Sequence, residues 1–514
     1  MRRVTACALA VCLLLSGCGV IQDSKGAGRE VPVSALDLSG IDSMVSSKKA
    51  AVYFLNSESH TLTADLRMLN VPQGQNPAEA AVDALLKGPS NNSLTGVAPE
   101  GMTLDFIEFS NGVANVYLKY DGQPVAADQK YVLEMAIANT VVDLLGATSV
   151  NVFYNGLREG LRGFPYGPLK KQTGTVDEAY AGAQAKYPIV DATNTEGSPV
   201  PSPTSIHSDT EATPAEPKTV DINTVLYFIS ASGDYILPEV RTITYNITGT
   251  DSDTAGYVSA IIGELKKGPK NADVMKSPVS AATALAGTPT VISNDDLTYD
   301  IELHFNALPA DSVYTGLKDT ELSFAALVYS ITGFVPSARE IRFFAGSMPL
   351  NAGSSGEGTR RSGFYGYVGS SAPLYFQYAN SGLLLEVSRS MEQGKIWSAL
   401  ERVRALMRGP QTGDGSSVTT IQYTGMTEKD ILSVNVAGDT AYVNLSQAFK
   451  EACNGLSDKN EMLLVYAIVN TVTAMDGINK VQFLIDGEQA DTLAGHLCIA
   501  DPFFRNYGII KNGS

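Results

Sequence analysis

The chain has 514 residues, 44% of them apolar and 18% charged, which is enough apolar sequence for more than one hydrophobic core. Its 37 Lys and Arg residues against 54 Asp and Glu residues give a formal net charge of −17, spread along the sequence. Such a surface repels duplex nucleic acid and anionic lipid, so we expect no nucleic-acid partner. Acidity is also an ordinary way for a secreted protein to stay soluble.

The N-terminus has the pattern of a signal peptide. Arg2 and Arg3 precede an apolar run, residues 4–15, which is too short to span a bilayer as a permanent helix. The run ends in Leu15-Ser16-Gly17-Cys18, which resembles a bacterial lipobox. That resemblance implies cleavage and acylation of Cys18 by chains such as palmitate, which would hold the protein on the outer side of the cell membrane. An uncleaved N-terminal anchor is the alternative, and it implies the same location.

A block of sequence occurs three times. Each copy begins with an aromatic and β-branched run, which predicts a strand, and continues with apolar residues three and four apart, which predict an amphipathic helix. Each helix ends at the same stop, in which a cation completes the last turn, Gly supplies a left-handed cap and Pro prevents continuation. The runs are Val52 to Leu55, Val225 to Phe228 and Leu374 to Phe376; the stops are Lys87-Gly88-Pro89, Lys267-Gly268-Pro269 and Arg408-Gly409-Pro410.

The second half of each copy predicts a hairpin, a second helix and a closing strand. Alternating apolar and polar residues are clearest at 114–118 and 441–445, and the closing strands end in Gly at 156, 346 and 487. The predicted order is β-β-α-β-β-α-β, with two helices packed on a mixed sheet. This order indicates an α+β fold built from three tandem small modules.

Four motifs in these blocks point to one family of domains. They are the helix end Leu85 to Pro89, the helix core Ala467 to Val472, the strand end Phe483 to Gly487 and the trailing Asp501-Pro502. With these motifs the sequence resembles the GerMN family, the sporulation and spore-germination domain of GerM-type lipoproteins. The third copy matches it best.

The other two copies depart from the family pattern. Copy one shares the helix core Asn139-Thr140-Val141 but has Tyr154-Asn155-Gly156 where the family usually ends in Ile-Asp-Gly. Copy two has Tyr329-Ser330-Ile331 and Ala345-Gly346 at these places, so its assignment depends on the order of elements. The resemblance covers nearly all of the chain outside its N-terminus and linkers.

These patterns divide the chain into seven segments. The stretch from Thr193 to Lys218 has almost no large apolar residue, so we expect an extended linker on which copy one moves independently. In the second linker, Phe364, Tyr365 and Tyr367 are expected to pack on a neighbouring module, so copies two and three would move together. The segments are a signal peptide at 1–18, a tether at 19–47, module 1 at 48–170, a Pro-, Thr- and Ser-rich linker at 171–218, a divergent module 2 at 219–350, a Gly- and Ser-rich linker at 351–371 and module 3 at 372–510.

Two of the five cysteines fall in the predicted folded part. Cys7 and Cys12 lie in the signal segment and Cys18 is the predicted lipidation site, which leaves Cys453 and Cys498 in module 3. A disulfide between these two would be compatible with an extracytoplasmic setting, and two free thiols are the alternative.

Motifs of catalysis, metal binding and cofactor binding are missing from the sequence. The four histidines lie far apart and none has the spacing of a metal site, and the adjacent carboxylates Asp295-Asp296 are expected in a solvated loop. Trp397 is expected at the edge of a core, with a carbohydrate platform as the alternative. We therefore predict a protein that is not an enzyme and holds no cofactor or metal. The histidines are His60, His207, His304 and His496.

The resemblance implies a non-catalytic scaffold in endospore formation or germination. Family members are similar in fold to ring-building modules of the channel between mother cell and forespore, which implies envelope or sporulation proteins, or other copies of the chain, as partners. Three repeats would let weak contacts add through effective concentration. One alternative is a general envelope lipoprotein that binds peptidoglycan fragments through aromatics such as those near Phe503, Phe504 and Tyr507. A second is an envelope hydrolase, for which the sequence offers no acid–base pair.

Overall fold

The computed structural model describes most of the chain after the predicted tether. The predicted signal peptide, Cys18, nearly all of the tether and the Pro-rich part of the first linker, including His207, lie outside the described residues. The described residues are 45–72, 74–161, 164–186, 218–247, 252–280, 283–306, 317–350, 359–411, 414–420 and 425–511.

Module 1 consists of a long two-stranded hairpin, a four-stranded sheet and three helices. Its strands are β1 (Val45–Asn56), β2 (Thr61–Pro72), β3 (Thr103–Ser110), β4 (Val113–Lys119), β5 (Ser149–Tyr154) and β6 (Leu157–Arg158), and its helices are α1 (Pro77–Leu86), α2 (Ala127–Leu145) and α3 (Val176–Gln184).

Module 2 repeats the hairpin and the four-stranded sheet, with a short third strand added to the hairpin. Its strands are β7 (Lys218–Ser230), β8 (Ile236–Ile247), β9 (Met275–Lys276), β10 (Thr290–Ser293), β11 (Tyr299–Phe305), β12 (Ala338–Ala345) and β13 (Met348–Leu350), and its helices are α4 (Ser252–Lys266) and α5 (Leu317–Thr332). We call residues 359–368, which follow it, the connector.

Module 3 has the same two sheets and one additional short helix. Its strands are β14 (Gly369–Tyr378), β15 (Leu384–Glu392), β16 (Val418–Thr419), β17 (Ile431–Ala437), β18 (Thr440–Leu445), β19 (Lys480–Ile485) and β20 (Phe503–Phe504), and its helices are α6 (Ala399–Met407), α7 (Gln447–Ala452) and α8 (Asp458–Val472).

The four-stranded sheets share one topology. The middle two strands are parallel, β4 with β5, β11 with β12 and β18 with β19, and their outer neighbours are antiparallel. Parallel neighbours need a crossover, which the long helices α2, α5 and α8 supply. The predicted α+β class, with helices on mixed sheets, is confirmed.

Each module has its own hydrophobic core between its helices and its sheets. The apolar stripes predicted for α1 and α4 are buried, including Val82 and Leu85 on α1 and Val258 and Leu265 on α4. Among the described residues, no helix has the length and the apolar composition needed to cross a membrane.

Several predicted boundaries were wrong. Helix α3 falls inside the predicted first linker, where Thr175 caps its start and Val176 is buried in the module 1 core. Ile396 and Trp397 belong to a 3-10 turn, Gln393–Trp397, that ends before α6 because Ser398 caps the helix. The connector packs on module 2, as predicted from its aromatics, with Phe364 and Val368 in that core.

Candidate interaction sites

An arginine holds the first helix of every module at its Gly-Pro stop. The side chain comes from the second hairpin strand, donates to the carbonyl of the stop glycine, which would otherwise lack an intrahelical donor, and lies over a phenylalanine of the first strand. This contact was not predicted from the sequence, where its signal is one Arg in the strand before each helix. The contacts are Arg67 to Gly88 at 2.8 Å over Phe54, Arg241 to Gly268 at 2.6 Å over Phe228, and Arg389 to Gly409 at 3.3 Å over Phe376.

A hydroxyl on the long helix holds the first strand of every module. It accepts a hydrogen bond from the backbone N–H of a tyrosine, and thereby fixes where the hairpin sits against the helix. The bonds are Tyr53 to Thr140 at 3.1 Å, Tyr227 to Ser330 at 2.9 Å and Tyr375 to Thr471 at 3.1 Å.

In each module a cation from the segment after the closing strand, β5, β12 or β19, lies over the ring of that same tyrosine. We call these three places cation sites 1, 2 and 3. In sites 2 and 3 the arginine also donates to the carbonyl of the helix residue before the hydroxyl residue, Tyr329 at 2.9 Å and Asn470 at 3.2 Å. The cation-to-ring distances are 5.4 Å for Lys171 over Tyr53, 5.8 Å for Arg361 over Tyr227 and 5.0 Å for Arg505 over Tyr375.

Side chains of module 1 contact Arg361 in cation site 2. The Arg361 guanidinium lies between two rings, 3.8 Å from the centroid of Tyr329 in module 2 and 4.2 Å from that of Phe153 in module 1. Its Nε donates to the hydroxyl of Tyr117 at 2.8 Å. A positive charge between aromatic faces is favourable, and more so away from water.

The counter-charge is Glu108 of module 1, which is buried with Arg361. The hydroxyls of Tyr117 and Tyr329 each donate to its carboxylate at 2.8 Å, so the two charges are joined through phenols. Burial alone would lower the pKa of Arg361, but the phenol oxygens of Tyr117, Tyr227 and Tyr329, with Glu108, raise it above its ordinary value. Arg361 therefore stays charged within the interface.

Backbone contacts extend this interface. The N–H of Ser337 in module 2 donates to the carbonyl of Arg158 in module 1 at 2.9 Å. Gly160 lets the chains approach, because a Cβ there would lie 2.5 Å from a side-chain atom of Pro336. Val113 of module 1 belongs to the hydrophobic core of module 2. The prediction that copy one moves independently is therefore wrong: a shared buried interface joins modules 1 and 2.

Module 3 also contacts module 1. Gln393 accepts a hydrogen bond from the backbone N–H of Phe109 in module 1 at 2.8 Å. The partly buried ring of Trp397 lies 6.4 Å from that of Phe109. Trp397 thus lies at the edge of the module 3 core, as expected, and also faces module 1.

The cations of sites 1 and 3 are paired differently from Arg361 in site 2. In site 1 the Asp143 carboxylate accepts from both Lys171 and Tyr53, so the cation has its own counter-charge. In site 3 Arg505 donates to the Tyr375 hydroxyl, which donates to the exposed Glu386. Within the described chain no carboxylate lies within ion-pair distance of Arg505.

The outer faces of the four-stranded sheets, turned away from the helices, also differ. Module 1 carries Tyr117 stacked on Phe153 at 4.8 Å, and these rings face Arg361. The equivalent cross-strand pair in module 2 is His304 stacked on Phe344 at 4.4 Å. Module 3 has the non-aromatic pair Asn444 and Leu484 there.

The remaining predicted residues do not form a reactive site. Within the described residues no cluster of His, Cys, Asp and Glu could hold a metal, and Asp295-Asp296 lie in an exposed turn. The three described histidines bond to different parts of the chain: His60 to Asp177, His304 to the carbonyl of Gly346 and His496 to that of Leu456.

Cys453 and Cys498 are both free thiols in the structure, so they form no bridge there. Cys453 is buried and Cys498 is exposed. Burial, with a smaller contribution from Glu461, raises the pKa of Cys453 to about 12. A bridge in an oxidising compartment stays a prediction.

Comparison with known families assigns the outer modules. Residues 51–159 and 373–491 match the Germane family, described as sporulation and spore germination. The chain contains two GerMN domains. These ranges cover most of the hairpin and most of the four-stranded sheet of modules 1 and 3. The family match does not extend to module 2, for which the element order and the three repeated contacts support a third copy.

Solved structures similar to parts of this chain come from Bacillus subtilis and Clostridium perfringens. The tandem GerMN domains of the sporulation protein GerM from Bacillus subtilis are 16% identical, cover 62% of this chain and 97% of theirs, and give a TM-score of 0.22. A putative lipoprotein from Clostridium perfringens is 26% identical over 26% of this chain and 87% of its own, with a TM-score of 0.19. No curated protein sequence matches the chain significantly.

Proposed function

We propose that this chain is a membrane-anchored, extracytoplasmic lipoprotein that acts as a non-catalytic scaffold in endospore formation or germination. The observation that carries the proposal is the presence of a sporulation and spore-germination domain at both ends of the folded region. Each of these domains keeps its own buried core. The process is therefore taken from the domain family, whose description names sporulation and not an enzymatic activity.

The lipid anchor at Cys18 is proposed from the sequence alone. The lipobox-like Leu15-Ser16-Gly17-Cys18 follows a short apolar run, and 26 residues, 19–44, separate Cys18 from β1. A chain of this length could hold the first module close to the membrane without placing it in the bilayer. Two or more acyl chains on Cys18 would give stable attachment.

The scaffold role is supported by the contacts between modules. The charges of Arg361 and Glu108 are buried together at the interface of modules 1 and 2, and removing one of two such charges is costly. A body held in this way presents its outer surfaces at fixed positions, which a binding scaffold needs.

Deletion of the gene in its own host tests this function. We expect fewer heat-resistant spores, or spores that germinate poorly, with rescue by the wild-type gene and not by Cys18→Ala. The Cys18→Ala protein should also lose the mobility shift of lipidation, and it should either leave the membrane fraction or remain as an unprocessed precursor. Arg2→Lys, which keeps the charge before the apolar run, is the matched control and should rescue fully.

Normal spores from the deletion strain would contradict the role in sporulation. Unchanged membrane partition and gel mobility of Cys18→Ala would contradict the lipid anchor separately.

A further inference from the structure

We propose that copies of this chain join head to tail, with the outer sheet face of module 2 in one copy docked on cation site 3 of the next. The intramolecular contact between modules 1 and 2 is the template for this interface. There, a stacked aromatic pair on one sheet face receives the arginine of a cation site on the following module. The described residues contain one further aromatic sheet face and one further arginine site.

Cation site 3 is the open counterpart of site 2. Arg505 occupies the place of Arg361, since each donates to a helix carbonyl and lies over the tyrosine held by the helix hydroxyl. Its Nε is shielded from water and has no hydrogen-bond partner among the described residues. In site 2 the same nitrogen donates to Tyr117 of module 1. Site 3 therefore leaves unpaired the donor that module 1 pairs in site 2.

Exposed aromatic surface surrounds Arg505. Phe504 is 64% exposed and Tyr507 is 73% exposed, and the guanidinium lies 5.3 Å from the centroid of Tyr507. Lys511 adds a second cation, 4.0 Å from the ring of Tyr378, and the described ion pairs do not include it. Aromatic and arginine side chains that are open to solvent are the typical anchors of protein interfaces.

The outer face of module 2 is the open counterpart of the module 1 face. His304 and Phe344 occupy the cross-strand positions of Tyr117 and Phe153 and are stacked in the same way. Glu302 lies on the same face, with its carboxylate 3.8 Å from His304 and 3.7 Å from Arg342. An aromatic pair with a carboxylate beside it is the combination that Arg361 meets on module 1.

The other faces and sites cannot make this contact. The aromatic face of module 1 is buried on module 2, and the equivalent positions of module 3 carry Asn444 and Leu484. Cation site 1 is neutralised by Asp143. One open face and one open site on different modules make a heterologous contact, which generates chains or rings of copies. The occupant that fits site 3 is thus a second copy of this chain.

Sedimentation velocity over a wide concentration range tests the proposal. The protein would be residues 38–514, which form one compact unit and contain all three cores. We expect dimers and larger species that grow with concentration. Arg505→Met and Phe344→Ser should each weaken association about tenfold or more, because each removes one side of the interface. Arg408→Met and Val274→Ser, at exposed positions elsewhere on modules 3 and 2, are the matched controls and should associate as the wild type does.

Mixing the two variants gives the decisive result. The Phe344→Ser chain keeps its Arg505 and the Arg505→Met chain keeps its aromatic face, so a mixture should form dimers and no larger species. A wild-type chain that stays monomeric at every concentration would overturn the proposal. Association that neither variant weakens, or a mixture that stays monomeric while the wild type associates, would overturn it as well.

Discussion

Arg361 is a single residue that joins modules 1 and 2. Its side chain comes from the connector after module 2, yet it contacts Tyr117 and Phe153 of module 1 as closely as it contacts Tyr329 of its own module. In module 3 the helix position of Tyr329 is Asn470, which exchanges hydrogen bonds with Asn506 just after strand β20. Tyrosine at this place instead reaches Glu108 of module 1. Tyr329, at which copy two departs from the other two copies, is thus a residue of the interface with module 1.

We predict that Arg361→Met lowers the free energy of unfolding by about 3 kcal/mol or more, because it leaves the buried Glu108 carboxylate without its counter-charge. Equilibrium denaturation measures the loss. Arg360→Met is the matched control, since Arg360 is the adjacent residue but its side chain is 57% exposed and pairs loosely with Glu340 at 3.5 Å. Equal stability of the two variants would contradict the role assigned to Arg361.

The two thiols should differ in reactivity. Alkylation requires the thiolate, and burial keeps Cys453 protonated because its pKa is raised to about 12. At pH values near 8 we expect iodoacetamide to modify Cys498 in the native protein and both cysteines only after unfolding. Mass spectrometry of the third module distinguishes the outcomes. Failure of both cysteines to react before reduction would show a disulfide instead.

At the scale of elements, the recurring unit is a helix that ends at Gly-Pro and is held there by an arginine. The stop was predictable from the sequence because a cap depends on three consecutive residues. The backbone confirms the left-handed conformation at Gly88, Gly268 and Gly409, with φ of +94°, +82° and +82°. The arginine was not predictable in the same way, since it lies 20 or more residues before the glycine that it contacts.

Two glycines in module 2 should respond in opposite directions to alanine. Gly268→Ala should destabilise the protein by about 1 kcal/mol, because the Cβ of alanine crowds the backbone in the left-handed conformation of this residue. Gly263→Ala, inside α4 with no atom within 4 Å of the added Cβ, should stabilise it by about 0.5 to 1 kcal/mol. Thermal unfolding of both variants measures the difference. The same sign for both changes would contradict the assigned helix end.

The order of elements, the apolar faces and the helix ends followed from sequence because they depend on local periodicity. The inter-module cluster did not, since Glu108, Tyr329 and Arg361 lie far apart along the chain and meet only through the tertiary fold. Two features of this cluster were visible in the sequence: the Arg360-Arg361 pair among aromatics, and tyrosine at 329 where the other copies have asparagine. The sequence did not show which residues they contact. Helix α3 was missed because it lies beside a Pro-rich stretch that masks its cap at Thr175.

At the scale of the whole molecule, the three modules form one body. Module 1 packs on module 2 through a charged, aromatic cluster and on module 3 through Phe109 and its neighbours. The described residues all belong to one compact unit that begins at residue 38. A body of this kind would transmit the position of the proposed membrane tether to surfaces on all three modules, which three independently moving modules could not do.

Small-angle X-ray scattering of residues 38–514, extrapolated to zero concentration, tests this rigid body most directly. We predict a single-peaked distance distribution and a radius of gyration near that of a compact chain of this length, about 23 Å. Arg361→Met should broaden the distribution, whereas Arg360→Met should not. A wild-type profile with a second peak, as expected for a module that moves on an extended linker, would contradict the account.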